Sequence, residues 1–287
     1  MPFRDLSLGV LVAAIWGVNF SIIKLGLLTI DPFILAGLRF SLVAIPLVFF
    51  IKRPNIPLYV LAIYGLLFGF GLWGVVNLSI YVGMSAGLAS LLLQFTAFIT
   101  VVFGRIYFKE SLSKNQYLGM LVSILGLLYI VSSSDGNTPL LSIVLIFSAA
   151  FAWAFSNVII KKYKPANMFS FVVWACLFSP IPLFIMTFIL KGADPFVTAL
   201  NTNYVGVFSI LFQSYITTLF GYYIWNSLLV KHPVSLVAPL SLLVPIFGLL
   251  GSYLIFEEVV NIEKIIAFLV VMFGLVIFMF KKVKRGE

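Results

Sequence analysis

The sequence predicts an all-α polytopic membrane protein, with ten transmembrane helices arranged as two inverted five-helix repeats. Three observations carry that expectation. First, 62% of the 287 residues are hydrophobic and only 9% are charged, against about 25% charged in a soluble domain. Second, breaking the apolar runs at Pro, Gly, Asn and charge clusters leaves ten segments of bilayer length. They lie near 6–28, 32–51, 58–79, 86–107, 115–132, 139–160, 168–190, 203–227, 234–256 and 262–280. Third, one block occurs twice. Trp16–Lys24 (WGVNFSIIK) is echoed by Trp153–Lys161 (WAFSNVIIK), and Phe108-Lys109-Glu110 with Gly126 by Phe256-Glu257-Glu258 with Gly274. A duplicated unit with an odd number of spans inserts its second copy upside down. Inverted repeats around a central cavity are the usual architecture of secondary transporters.

Taken in order, the first apolar run follows Arg4 and begins at Leu6, the layout of a signal peptide. Trp16, Asn19 and Lys24 interrupt it and no small-residue cleavage site follows, so it reads as a retained span. Loops are short, so neighbouring spans pack antiparallel. The polar turn from Ser132 to Pro139 divides the repeats at 1–135 and 136–287. Gly65 and Gly69, continued by Gly71 and Gly74, and Gly83 with Gly87 have the spacing that lets helix backbones approach in lipid. Pro46, Pro180, Pro182, Pro239 and Pro245 fall within spans and are expected to kink them. The ninth span, with Ser241 between Pro239 and Pro245, is the expected moving or cavity-lining helix.

The formal net charge of +9 is distributed as membrane topology requires, with no need of a nucleic-acid partner. With the N-terminus in the cytoplasm, 14 of the 18 Lys and Arg residues collect on the inner side, Lys24, Lys191 and Lys264 fall outside, and Arg39 lies within a span. Both termini are thus expected in the cytoplasm. The single cysteine, Cys176, cannot form an intramolecular disulfide and reads as a small core residue.

The candidate site is a set of polar and aromatic residues at helical spacing. The first span offers Trp16, Asn19 and Lys24, the sixth Trp153 and Asn157, the third Trp73, Asn77 and Tyr81, the fourth Gln94, the eighth Gln213 and Tyr222, and the ninth Ser241. Polar groups are costly in hydrocarbon, so these faces should point into protein or a wet cavity. Taken singly, each residue serves helix packing as well as it serves a ligand; the set is the signal. A cavity between the halves, lined by spans one, three, four, six, eight and nine, would be aromatic, hydrogen-bonding and nearly uncharged, suiting a small zwitterion or amphiphile better than a strongly anionic phosphate ester. Asn19, Asn77, Gln94, Asn157 and Tyr222 are expected to face it. For Arg39, in the second span, a structural salt bridge to Asp31 and a substrate carboxylate stand as equal readings, and Lys24 competes for Asp31.

Absences narrow the function further. All nine acidic residues fall at span ends, loops or termini, and the one histidine, His232, is in a predicted loop. No mid-membrane carboxylate or histidine is available to couple protons, which leaves Lys24 as the sole candidate for a titrating group. No metal-ligand cluster, nucleotide loop or activated nucleophile suggests an enzyme or a cofactor.

The opening WGVNFSIIK, Gly37-Leu38-Arg39-Phe40, Gly87-Leu88-Ala89-Ser90 with Gln94, the Phe-Lys-Glu corner and Ala238 to Pro245 (APLSLLVP) together resemble the EamA family of the drug/metabolite transporter superfamily. The resemblance runs over essentially the whole chain. It implies a ten-helix inverted-repeat carrier, multi-pass in the bacterial inner membrane, that exports amino acids or related metabolites of the cysteine and O-acetylserine kind. A monomer or weak homodimer is expected, with a small-molecule substrate and the lipid bilayer as partners. An exporter of hydrophobic or cationic drugs or lipid-like molecules with the same fold is the alternative. A non-transporting scaffold or receptor is a third reading, disfavoured by the lack of any sizeable loop.

Overall fold

The structure is a computed structural model that describes residues 1–109, 112–132, 138–232, 237–258 and 262–279. The predicted repeat boundary at 135/136 and the basic run Lys281 to Arg285 lie outside the described residues. Within them the chain is helical and contains no strand. The principal helices are α1 (Phe3–Gly26), α2 (Pro32–Val48), α3 (Leu58–Tyr81), α4 (Ala86–Phe108), α5 (Lys114–Ser132), α6 (Leu140–Tyr163), α7 (Met168–Lys191), α8 (Tyr204–Leu228), α9 (Leu240–Phe256) and α10 (Ile262–Met279). A short helix, Asp194–Leu200, lies between α7 and α8. Helices α1, α3, α4, α6, α7 and α8 are long and apolar enough to cross a bilayer, while α2, α9 and Ile265–Phe278 of α10 are shorter apolar helices. Leu118, Leu121 and Leu125 of α5, Ile185 and Phe188 of α7, and Leu269 and Phe273 of α10 are exposed. Such a shell of outward apolar side chains is stable against lipid tails and not against water.

Short polar side chains start several of these helices. Asp31 caps α2 through Phe33 N at 2.9 Å and Ile34 N at 3.3 Å, Ser85 caps α4, Asn167 caps α7 and Asn203 caps α8, each satisfying amides that would otherwise be orphaned. Within the seventh and ninth spans the α-helix is interrupted near its prolines and restarts with them in or just before its first turn. Helix α7 breaks at Leu177–Ser179 and resumes with Pro180 at its first position. Pro239 lies in the 3-10 turn Ala238–Leu242, and Pro245 is in the first turn of the α-helix Leu243–Phe256. In a first turn the missing amide would have had no partner anyway. Pro46 alone lies inside its helix, near the end of α2. Gly83 is likewise not a helix contact: it turns the chain after α3 at φ +118°, where only glycine is unstrained.

The two halves match in detail. Helices α1 and α6 each have 24 residues. Helix α3 opens with eight α-helical residues, Leu58–Gly65, followed by nine π-helical ones, Leu66–Gly74; α8 repeats this with Tyr204–Leu211 and Phe212–Phe220. The two Phe-acid corners end α4 and α9 in the same way, with Lys109 at φ 57° and Glu257 at φ 51°. Ser123 on α5 donates to the carbonyl of Val271 on α10 at 3.1 Å. These residues stand three places before Gly126 and Gly274, so equivalent positions of the two copies touch one another.

Contacts sort the connections into two ends. At one end Asp5 meets His232 at 2.6 Å, Tyr59 meets Tyr163, and Trp174 donates to Ile51 O. At the other, Thr29 meets Thr202 at 2.9 Å, Lys191 pairs with Asp31 at 2.9 Å, Lys24 pairs with Glu258, and Gly83 lies against Pro139. Helix α1 runs from the first end to the second, and α6 runs back.

Candidate functional site

Helix α2 positions the costliest group. Arg39 is midway along it and fully buried. Its Nε donates to Thr218 Oγ1 at 3.0 Å, and its guanidinium carbon lies 4.3 Å from the centre of the Trp73 ring and 5.3 Å from that of Phe40. Both terminal nitrogens lack a hydrogen-bond partner. Asp31 does not reach it. That carboxylate caps its own helix and is held by Lys191 and Thr187 Oγ1, the latter at 3.0 Å. The salt-bridge reading of Arg39 is therefore corrected. A cation–π contact and one hydroxyl hold the charge, and among the described residues no acid balances it.

The π-helical stretch of α8 supplies the facing wall. Thr218 Oγ1 also donates to Gln213 O at 2.7 Å. Its neighbour Thr217 donates to Asn19 Oδ1 of α1 at 2.9 Å, while Trp16 Nε1 donates to Thr217 O at 3.1 Å. Room for that indole comes from Gly221, where a Cβ would sit 2.6 Å from Trp16 Nε1. Gln213 Nε2 donates to Ser209 Oγ at 3.0 Å, leaving Oε1 without a partner. The rings of Tyr222 and Trp16 lie 5.2 Å apart, and Tyr222 continues to Phe68 at 5.8 Å. On the α3 side, Trp73 packs 6.1 Å from Phe20, and its indole nitrogen is buried without a partner. Asn19 Nδ2 is a further buried, unpartnered donor.

Six predicted residues thus converge: Trp16, Asn19, Arg39, Trp73, Gln213 and Tyr222. The others fall elsewhere. Lys24 is bonded to Glu258, which Ser252 also reaches, and lies 4.4 Å over the Phe256 ring. It is an ion-paired, partly exposed amine at the end of α1. Tyr81 is half exposed beneath Lys191 at the same end. Asn77 donates to Pro32 O at 3.1 Å, and Asn157 to Thr100 Oγ1 at 3.1 Å, so both bind helix to helix. Gln94 occupies the 3-10 break Leu93–Phe95 in α4, Trp153 packs on the core from α6, and Ser241 lies in the turn that starts α9. The cluster is therefore built by α1, α2, α3 and α8, without the expected contributions of α4, α6 and α9. Thr217 and Thr218 join the cluster although neither is among the predicted site residues. Thr217 shares the Gln213 face at ordinary helical spacing, and the nine-residue π stretch brings Thr218 onto it as well.

Comparison with known proteins gives this geometry its family. The EamA-like transporter family matches residues 5–132 and again residues 140–280. A probable amino-acid metabolite efflux pump of Salmonella typhimurium is 39% identical over 288 residues, covering 98% of this chain and 96% of that protein. One of the same description from Escherichia coli is 38% identical over 300 residues, with both chains fully covered. A solved crystal structure at 15% identity superposes with a TM-score of 0.64 over 96% of each chain, which shows the shared fold. With its apolar helices, its lipid-facing surface and a family match in each half, the chain belongs to the EamA-like transporter family of multi-pass membrane proteins.

Proposed function

We propose that this protein is a secondary transporter exporting small zwitterionic metabolites across the bacterial inner membrane by alternating access. Its cargo class is amino acids or derivatives of the cysteine and O-acetylserine kind. In this reading ten spans form two inverted five-helix repeats, 1–135 and 136–287, with both termini cytoplasmic, and the substrate is held at the cluster of α1, α2, α3 and α8. The observation that carries it is this solvent-sealed group of unpartnered polar atoms, walled by aromatic rings midway along the helices. Buried polar atoms are retained against their cost where a ligand uses them. The matched helix lengths, π stretches and Phe-acid corners support the repeat. The similarity to probable amino-acid metabolite efflux pumps of Salmonella typhimurium and Escherichia coli supports metabolite export.

Purified protein in proteoliposomes, offered labelled amino acids and cationic dyes in parallel, tests the reading. Counterflow of amino acids is the expected result. Movement of dyes alone would replace it with a drug exporter, and movement of neither would remove transport of these classes.

A further inference from the structure

We infer that the cluster reads the carboxylate of its cargo and forms no ion pair with the amine, so that it accepts carboxylates lacking an amine and rejects cations. This rests on the transport reading above. The donor set is one-sided: Arg39 Nη1 and Nη2, Trp73 Nε1 and Asn19 Nδ2 are all buried N–H groups without an acceptor. A carboxylate offers two oxygens with four lone-pair sites, and a guanidinium edge matches it in bidentate fashion. Thr218 holds Nε of Arg39 and the Trp73 face holds the guanidinium plane, which leaves the two terminal nitrogens to the ligand.

Among the described residues no carboxylate beside the cluster is left free to face an ammonium. The titratable groups within electrostatic reach of Arg39 are Tyr222 and Cys176. Asp31 is held by Lys191, and Glu258 by Lys24. What remains for an amine is Gln213 Oε1, Asn77 Oδ1 one turn from Trp73, the Ser21 hydroxyl and the aromatic faces, neutral partners that replace its hydration without a counter-charge. A cationic ligand would instead add a second positive charge beside a buried unpaired one. The same reasoning sets apart a binding arginine from a structural one. Removing a buried charge that has no counter-ion should not destabilise the protein, whereas removing one half of a structural pair should.

The test uses cysteine, cysteinamide and 3-mercaptopropionate under reducing conditions with the full-length protein. Each is read twice, as a competitor of labelled cysteine counterflow and as a shift in melting temperature. Cysteine and 3-mercaptopropionate should stabilise the protein and compete within a few-fold of each other, while cysteinamide should be weaker by roughly tenfold or more. Arg39→Met should melt no lower than the natural protein and lose the carboxylate-dependent shift, and Arg39→Lys should retain part of it. Cysteinamide acting as well as cysteine overturns the inference, as does the absence of any shift with either carboxylate. So does a marked fall in the melting temperature of Arg39→Met with the carboxylate shift intact in Arg39→Lys. Carboxylate-dependent stabilisation without counterflow would instead remove the transport reading and leave the carboxylate site standing.

Discussion

The echoed motif places an asparagine in each half, and the two have different work. Asn19 is fully buried, accepts from Thr217 and keeps a free amide donor within the cluster, whereas Asn157 spends its amide on Thr100 between α6 and α4. Asn19→Leu should lower transport by roughly tenfold, the effect of stranding Thr217 and losing a ligand donor. Asn157→Leu should act mainly through stability. Rates normalised to folded protein in proteoliposomes check this, and equal normalised losses would place both in packing. Lys24 and Glu258 form a pair that is only partly exposed, at 30% and 20% of their side chains. Lys24→Met and Glu258→Gln should therefore be non-additive in melting temperature, with a coupling of about 0.2–1 kcal/mol. Full additivity would show that the bond does not form. This much of the site was legible from residue type, since an arginine in a span and aromatic residues beside amides mark polar burial. Its membership was not, because the partner of a charge is set by tertiary packing. Lys24 and Asp31 found Glu258 and Lys191, each more than 150 positions away in sequence.

Helices were legible as apolar runs, and eight of the ten predicted starts fall within two residues of the observed ones. Their internal character was not. A π stretch leaves no mark in hydrophobic periodicity short enough to read, yet it sets the face shared by Gln213, Thr217, Thr218 and Tyr222. The glycine spacing in α3 was read correctly as a close contact, and the structure identifies the partner. A Cβ at Gly65 would lie 2.1 Å from Ala175 O of α7, and one at Gly69 would lie 2.2 Å from Ser179 Cβ, whereas at Gly71 the nearest atom is Ala152 Cβ at 3.0 Å. Ser179 Oγ also donates to Gly65 O at 2.9 Å, so α3 and α7 cannot part without losing a buried bond. Gly65→Ala and Gly69→Ala should each cost about 1–3 kcal/mol, and Gly71→Ala clearly less. Thermal melting in detergent measures the order, and a Gly71→Ala variant as unstable as Gly65→Ala would discard the assigned contact.

At the scale of the molecule, the alternation of helix direction decides whether the halves are inverted. Two chains of contact fix that alternation independently of any charge count. The loop at Lys52 meets α7 through Ser170 Oγ donating to Lys52 O, and Asp5 meets His232, while Gly83 meets Pro139 and Thr29 meets Thr202. The basic loops at Lys52–Arg53 and Lys161–Lys164 share one end, and Asp31, Glu258 and the short helix starting at Asp194 gather towards the other. The contacts give the alternation alone, and the excess of lysine and arginine at one end is the ground, by the positive-inside rule, for expecting that end in the cytoplasm. Cytoplasmic and periplasmic reporters fused after Arg53, Lys114, Lys164 and Lys231 should all read cytoplasmic, and those after Gly83 and Asp194 periplasmic. Reversal of every fusion would invert the protein in the membrane while keeping the repeat, because alternation would persist. Agreement in the first half with reversal in the second would break the parity between α1 and α6, and with it the two-fold relation that brings Ser123 onto Val271.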